Sequence, residues 1–281
     1  MSVPLIPLHD GSTIPQLGFG VFKVPPEQTE ETVLTAFEVG YRHIDTAQMY
    51  GNEAGVGAAI KSSGIDRDDL FVTSKLNNGF HRPEDVQRSF EESLQRLGLD
   101  RLDLFLIHWP LPTRYDGDFV STWRAVTELT RDGRLTSAGV SNFEPDHVAR
   151  IVDETGVVPQ VNQIEVHPYL TNEAARAASI GRDIKVEAWS PIARGNVLED
   201  PVITEIAEAH GRTPSQVTLR WHVERGDIVF PKSMKRSRME ENFAIFDFTL
   251  SEEEVGRISG LDKGEDGRTG PNPNTFDHIP D

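Results

Sequence analysis

Short apolar runs and amphipathic stretches alternate along most of the chain. Strand-like runs recur at Leu17–Val21, His43–Asp45, Leu70–Ser74, Leu102–Ile107, Ser137–Val140, Gln160–Glu165, Lys185–Trp189 and Ile228–Pro231. Between them, apolar residues return every three or four positions, the spacing of helices with one buried face. These helices are predicted at Thr29–Val39, Glu53–Lys61, Pro83–Leu97, Val120–Arg131, Pro145–Glu154, Asn172–Ile180, Ile203–Glu224 and Ser237–Phe246. Leu70-Phe71-Val72 and Leu104-Phe105-Leu106-Ile107 are continuously apolar, as parallel strands covered on both faces tend to be. Eight strand–helix units in strict alternation predict an α/β fold of the (β/α)8 TIM-barrel type rather than an open sheet.

Departures from this rhythm read as additions to one barrel. Leu5-Ile6-Pro7-Leu8 and Ile14-Pro15-Gln16-Leu17 flank a turn containing Asp10-Gly11, which predicts an N-terminal β-hairpin. The long gap from Trp189 to Ile228 carries Gly211-Arg212-Thr213-Pro214, a break between two helices. A last helix at Ser251–Leu261 precedes a Gly/Pro/Asn-rich C-terminal tail. No linker divides the chain, so residues 1–281 are expected to form a single domain.

Charge and composition narrow the partners. A net charge of −17 over 281 residues argues against a nucleic-acid backbone or an anionic membrane surface, though not against one anion held by a local basic cluster. With no cysteine, the chain has no disulfide, no thiolate nucleophile and no Cys-ligated metal. Met1 to Leu8 lacks a basic, then apolar, leader, and no apolar run approaches the roughly 20 residues of a membrane span. A cytoplasmic monomer is expected.

In such a barrel, active sites are assembled at the C-terminal ends of the strands. Those ends carry Asp45, Lys75, His108, Ser141-Asn142, Gln163, Trp189 and Lys232. Taken singly, each has a structural reading. Asp45-Thr46 could cap a turn, Lys75 could be a surface lysine just past its strand, and His108 could be a hydrogen-bonded wall residue. Three ionisable groups ending three successive strands, with Tyr50 five residues after the first, are harder to assign to chance. Together they suit acid–base work on a carbonyl or an alcohol. A phenol with a pKa of about 10 exchanges its proton poorly at neutral pH, and a nearby ammonium is expected to lower that value. Asp45 would fix Lys75 and keep it charged, and His108 would orient the substrate oxygen or share its proton; no metal is required.

The segment Gly40-Tyr41-Arg42-His43-Ile44-Asp45-Thr46-Ala47, with Tyr50 and Asn52-Glu53, resembles the first signature of the aldo-keto reductases. Gly98-Leu99-Asp100-Arg101-Leu102-Asp103-Leu104 leading to His108-Trp109-Pro110 resembles the second, and Phe230-Pro231-Lys232-Ser233 with Arg238, Glu241 and Asn242 the third. The likeness extends from hairpin to tail. It implies the (β/α)8 fold, the catalytic set Asp45, Tyr50, Lys75 and His108 with Tyr50 as proton donor, and hydride transfer from NADPH to an aldehyde or ketone.

No Gly-x-Gly-x-x-Gly turn or Walker motif is present, so an anionic cofactor needs another seat. Lys232-Ser233-Met234-Lys235-Arg236-Ser237-Arg238 is the basic run of an acidic chain. Ser237 and Glu240 form a capping-box pattern there, so a helix is expected to open at this point. By itself the run is equally a solvated basic face. The resemblance places Lys232, Ser233, Met234 and Arg238 at the adenosine 2′-phosphate end, and Glu241 and Asn242 at the adenine. It places Ser141, Asn142 and Gln163 on the nicotinamide carboxamide, Trp189 against the ring, Ser190 and Ile192 in a loop over the pyrophosphate, and Arg268 as a further contact. Glu165 and His167 face one way on alternate positions, but two ligands make a poor metal site.

For the substrate, Phe22, Tyr50, Asn77, His108 and Trp109 are the expected wall, with the tail around Phe276. The chain looks most like the bacterial 2,5-diketo-D-gluconate reductase branch, whose members also reduce α-dicarbonyls such as methylglyoxal. It departs from that branch at Asn77, where Trp is usual. A small carbonyl compound is therefore the expected substrate. Two other classes compete with this reading: an NADPH-binding sensor barrel without turnover, and a metal-dependent barrel hydrolase.

Overall fold

The computed structural model describes residues 3–280. A hairpin of β1 (Leu5–Pro7) and β2 (Thr13–Pro15) pairs antiparallel, with Ile6 opposite Ile14. Eight parallel strands follow in sequential order: β3 (Phe19–Gly20), β4 (His43–Asp45), β5 (Phe71–Leu76), β6 (Leu102–Ile107), β7 (Leu135–Ser141), β8 (Val161–Glu165), β9 (Lys185–Trp189) and β10 (Ile228–Val229). Leu17 bridges Val229 in parallel, and the Gly18 and Val229 amides donate to Val229 and Gln16 carbonyls at 2.8 and 3.0 Å, which closes the ring. The fold is the expected (β/α)8 barrel.

Helices α1 (Pro26–Val39), α2 (Glu53–Ser63), α3 (Pro83–Leu97), α4 (Phe119–Glu128), α5 (Pro145–Thr155) and α6 (Glu173–Ile180) fill the first six connections. The helical stretch over Ile203–Glu224 is two helices, α7 (Pro201–His210) and α8 (Pro214–Glu224), parted at the expected break from Gly211. Thr213 and Gln216 form a capping box at the start of α8. The last two are α9 (Arg236–Phe243) and α10 (Glu252–Ser259). No helix among the described residues is long and apolar enough to cross a membrane.

Two apolar layers hold this together. One lies between strands and helices and includes Phe37, Val72, Phe90, Phe105, Trp123 and Trp221. There α2 and α3 approach so closely at Gly57 that a Cβ would lie 2.0 Å from the Leu97 carbonyl oxygen, so only glycine fits. The other lies inside the barrel, at the N-terminal ends of its strands. Phe71, Leu104, Leu106, Val161 and Ile228 pack there against Leu8 and Ile14 of the hairpin. The hairpin is thus a plug, which sends a ligand to the opposite rim.

Candidate active site

Successive inward residues of a strand are two positions apart, so each strand runs from the apolar floor to the polar rim. On β5 this series is Phe71, Thr73, Lys75, and on β6 it is Leu104, Leu106, His108. Lys75 was expected just beyond its strand. It lies within β5 and is fully buried. Its ammonium donates to both Asp45 oxygens at 2.7 and 2.8 Å, to the Thr46 carbonyl at 2.9 Å and toward Tyr50 Oη at 3.5 Å. A buried ammonium is tolerable only when paired in this way.

Tyr50 stands on a 3-10 turn, Gln48–Tyr50, pinned on both sides. Gln48 accepts from the Asn77 amide at 2.6 Å and donates to the Ser89 carbonyl and to Ser93 Oγ. Asn52 accepts from Thr46 Oγ1 and donates to the Val21 and Val24 carbonyls. The phenol is therefore held over Lys75 by two amides, not by its own bonds alone. His108 meets the Tyr50 ring edge-on, centroids 5.7 Å apart, and its Nδ1 is buried without a partner. Phe22, half exposed, packs on the other side of Tyr50 at 5.0 Å.

Protonation states follow from burial and charge. Burial would push the Lys75 ammonium down, but Asp45 beside it, with Tyr50 and Glu187, holds it above its ordinary range. Burial raises Tyr50, and the lowering by Lys75 does not overcome it. The expected depression of the phenol is thus corrected. Desolvation at the half-buried ring outweighs an ammonium 3.5 Å away, already neutralised by Asp45. A phenol that keeps its proton at neutral pH is a donor. Burial first, then Lys75 and His81, pushes His108 well below its ordinary value, so it is a neutral imidazole.

Beside this group, Ser141 Oγ donates to the Gln163 carbonyl at 2.8 Å, and Asn142 Nδ2 donates to the His108 carbonyl and to Ser141 Oγ. Asn142 has φ +64, and the half-buried Trp189 donates from Nε1 to its Oδ1 at 2.8 Å. Gln163 lies two residues before the end of β8, one layer lower than expected, and donates to Asp45 Oδ2 at 2.9 Å and Glu187 Oε2 at 2.8 Å. Beyond β9, Ser190 (φ +51) starts a loop in which the Gly195 amide donates to the Ile192 carbonyl, while His222 Nε2 contacts the Pro191 carbonyl at 3.0 Å.

The basic run leaves β10 and enters α9. Its helix starts at Arg236 with Lys235 as N-cap and no capping side chain, so the predicted Ser237–Glu240 box is absent; Ser237 already lies in the first turn. Arg236 is paired with Glu38 and Glu240. Among the described residues, Lys232, Lys235 and Arg238 have no carboxylate partner and are exposed, as is Met234, whereas Ser233 is buried. Glu241 and Asn242 accept from Thr213 and Ser215 of the α8 start.

The model of the Aldo/keto reductase family matches residues 16–263. The chain belongs to the aldo-keto reductases. It is 49% identical over 273 residues to an aldo-keto reductase of Mycolicibacterium smegmatis, covering 97% of this chain and 98% of that protein. It is 43% identical over 275 residues to the methylglyoxal reductase DkgA of Escherichia coli K12, covering 97% and 98%. A mutant of Gox0644 in complex with NADPH superposes with a TM-score of 0.93 at 44% identity, covering 98% of this chain and 99% of that one.

In this aldo-keto reductase the tail reaches the rim through contacts at Glu165 and Trp189 that no sequence signal marks, and through Phe276. Glu165 Oε1 accepts from the Thr269 amide and Oγ1, Oε2 from the Gly270 amide, and His167 Nε2 lies 3.1 Å from Oε1. The Glu165/His167 pair is therefore a latch for the tail. Gly270 lies on Trp189, where a Cβ would come within 2.3 Å of the ring. The Arg268 side chain is 8% exposed and bonded to Glu265, with Glu144 and Glu165 at 3.9 Å, so its charge is spent on carboxylates. Further on, Phe276 packs on Trp109 at 4.2 Å, and His278 accepts from Asn78. Asn77 Oδ1 accepts from the Gly79 amide at 2.8 Å, leaving its NH2 group free of that bond. Glu187 gave no sequence signal beyond a charged residue in the middle of β9.

Proposed function

We propose that this chain is an NADPH-dependent reductase of small aldehydes and ketones, including methylglyoxal-like and 2,5-diketo-D-gluconate-like dicarbonyls, with Tyr50 as proton donor. The observation that carries it is Lys75, buried, triply bonded by Asp45 and Thr46, and directed at a protonated phenol beside a neutral imidazole. The residues present suit the cofactor. Lys232, Lys235 and Arg238 are unpaired cations at an uncapped helix start, a fit for a phosphate monoester. Ser141, Asn142 and Gln163 offer amide and hydroxyl groups for a carboxamide, with Trp189 as a flat wall. When bound, NADPH supplies the hydride that reaches the carbonyl carbon.

The chain's own residues do the rest. His108 directs the carbonyl oxygen toward Tyr50, Tyr50 Oη gives its proton to that oxygen, and Lys75 stabilises the phenolate left behind. Asp45 holds Lys75 charged and in place. Phe22, Trp109 and Phe276 exclude water from one side, and the Asn77 amide faces the polar end of a small substrate.

The test is a carbonyl panel followed by oxidation of NADPH and, in parallel, NADH. Turnover of α-dicarbonyls with NADPH is expected; tight NADPH binding with no turnover of any carbonyl would instead favour a sensor role. Arg238→Ala should raise the KM for NADPH by about tenfold or more and leave that for NADH within about twofold. Equal losses would contradict the 2′-phosphate assignment.

A further inference from the structure

We propose that Glu187, buried in the barrel below the catalytic group, is a positioning residue that acts through Gln163 on Asp45 and so sets how readily Tyr50 releases its proton. The inference rests on the reductase reading above. Its geometric basis is one amide nitrogen shared by two carboxyl groups. Gln163 Nε2 donates to Asp45 Oδ2 at 2.9 Å and to Glu187 Oε2 at 2.8 Å, and both hydrogens of that amide are then used. The amide is thereby turned with its nitrogen inward and its carbonyl oxygen away from the two carboxyls.

The two carboxyl groups are not equivalent. Asp45 has the Lys75 ammonium against both oxygens. Glu187 is fully buried, and its Oε1 has no hydrogen-bond partner. His43 Nε2 lies 4.0 Å from Oε1 and already faces Thr73 Oγ1 at 3.3 Å. His43 Nδ1 faces the Pro15 carbonyl at 3.2 Å, so its proton belongs on Nδ1 and Nε2 is an acceptor. An oxygen directed at an acceptor, with no donor in reach, is the place for a carboxylic proton rather than a negative charge. The charged and titratable groups around Glu187 are His43 and Asp45 on β4 and Lys75 on β5. Its β8 contact is the neutral Gln163, and its β10 partner is Ile228. Burial first, then the Asp45 charge, pushes the Glu187 carboxyl up to about 8, in agreement with this reading.

The consequence is a charge switch under the proton donor. With Glu187 protonated, Asp45 and Lys75 cancel. When Glu187 ionises, the buried group carries a net negative charge, which favours the protonated forms of Lys75 and Tyr50. A phenol that holds its proton more tightly is a weaker general acid, so carbonyl reduction slows as the solution becomes alkaline. The same ionisation puts two carboxylates on one amide nitrogen and loosens Gln163.

The experiment compares wild type with Glu187→Gln, reducing methylglyoxal under saturating NADPH. The readout is the ratio of kcat/KM at about pH 6.5 to that at about pH 9.5. The wild-type ratio is expected near tenfold, and that of Glu187→Gln below about twofold. An equal ratio in both proteins overturns the inference. Infrared difference spectra of wild type over the same range should lose a protonated-carboxyl band that Glu187→Gln lacks. If the variant does not fold, the wild-type spectrum decides alone, and absence of a titrating carboxyl band overturns the proposal. A wild type that reduces no carbonyl refutes the reductase reading instead, while the spectra still decide the state of Glu187.

Discussion

The two ends of the barrel interior are lined by the same strands and solve opposite problems. At the hairpin end, Phe71, Leu104, Leu106, Val161 and Ile228 meet Leu8 and Ile14 and bury no charge. Toward the rim, Lys75, His108 and Gln163 sit on or just past β5, β6 and β8, with Glu187 of β9 beneath them. The floor gains stability from burial alone at about 25 cal/mol per Å². The rim must offset the desolvation of an ammonium and two carboxyl groups through specific bonds, and it does so incompletely. His108 Nδ1 and Glu187 Oε1 remain unpartnered. These unpartnered atoms stand beside the paired Lys75 and Asp45, where stability is given up for chemistry.

Substitutions that separate the two ends sharpen this contrast. Lys75→Met should have the largest effect. It leaves Asp45 buried without its cation, which costs about 3–5 kcal/mol of stability, and lowers kcat for carbonyl reduction by about a thousandfold or more. Thermal melts and steady-state rates would check both. Leu106→Ala at the floor should cost a similar 2–5 kcal/mol through the cavity it opens. Leu106 also fills the space over Gly139, where a Cβ would lie 2.7 Å from it. Yet kcat per folded molecule should stay within about threefold, because the rim contacts are untouched. A loss of kcat comparable with that of Lys75→Met would erase the contrast.

The smallest expected effect is the pH dependence of stability, to which His43 at the floor end and His81 and Glu187 nearer the rim contribute. Burial holds His43 and His81 neutral in the folded chain, with values of about 4 against an ordinary 6.5. Between these limits the unfolded chain takes up protons that the folded chain refuses. Their stabilisation is full above about pH 6.5 and is lost as pH falls through about 4. Glu187 works in the other direction. The folded chain keeps its proton up to about pH 8 while the unfolded chain releases it near 4.5, so stability declines as pH rises across that window. The two windows overlap between about pH 4.5 and 6.5, so calorimetric Tm values should peak near pH 6.5, and Glu187→Gln should remove the decline from there to about pH 8 while steepening the acid rise.

Much of this was legible in the sequence because the short apolar runs and the strand ends carry it. All eight barrel strands lie where apolar runs placed them, and Asp45, Lys75, Tyr50 and His108 converge as their positions implied. What could not be read depends on distance across the ring. Lys75 reads as a residue outside its strand, because a charge inside β5 makes sense only with Asp45 opposite. The Ser237–Glu240 pattern is a valid local signal, but the helix begins one residue earlier at Arg236, whose ion pairs to Glu38 and Glu240 occupy the carboxylate the box would use. Arg268 looks like a free cation in the tail, yet Glu265 claims it. Glu187 has no motif at all; its meaning comes from Gln163, 24 residues earlier in the chain.

The central claim is that Tyr50 supplies the proton. Single-turnover reduction of methylglyoxal by Tyr50→Phe, preloaded with NADPH, tests it most directly. The variant keeps the ring that packs on Phe22 and His108 and loses only the hydroxyl. Unchanged NADPH binding is expected, with the reduction step slowed by about a hundredfold or more. Reduction at the wild-type rate would contradict the claim.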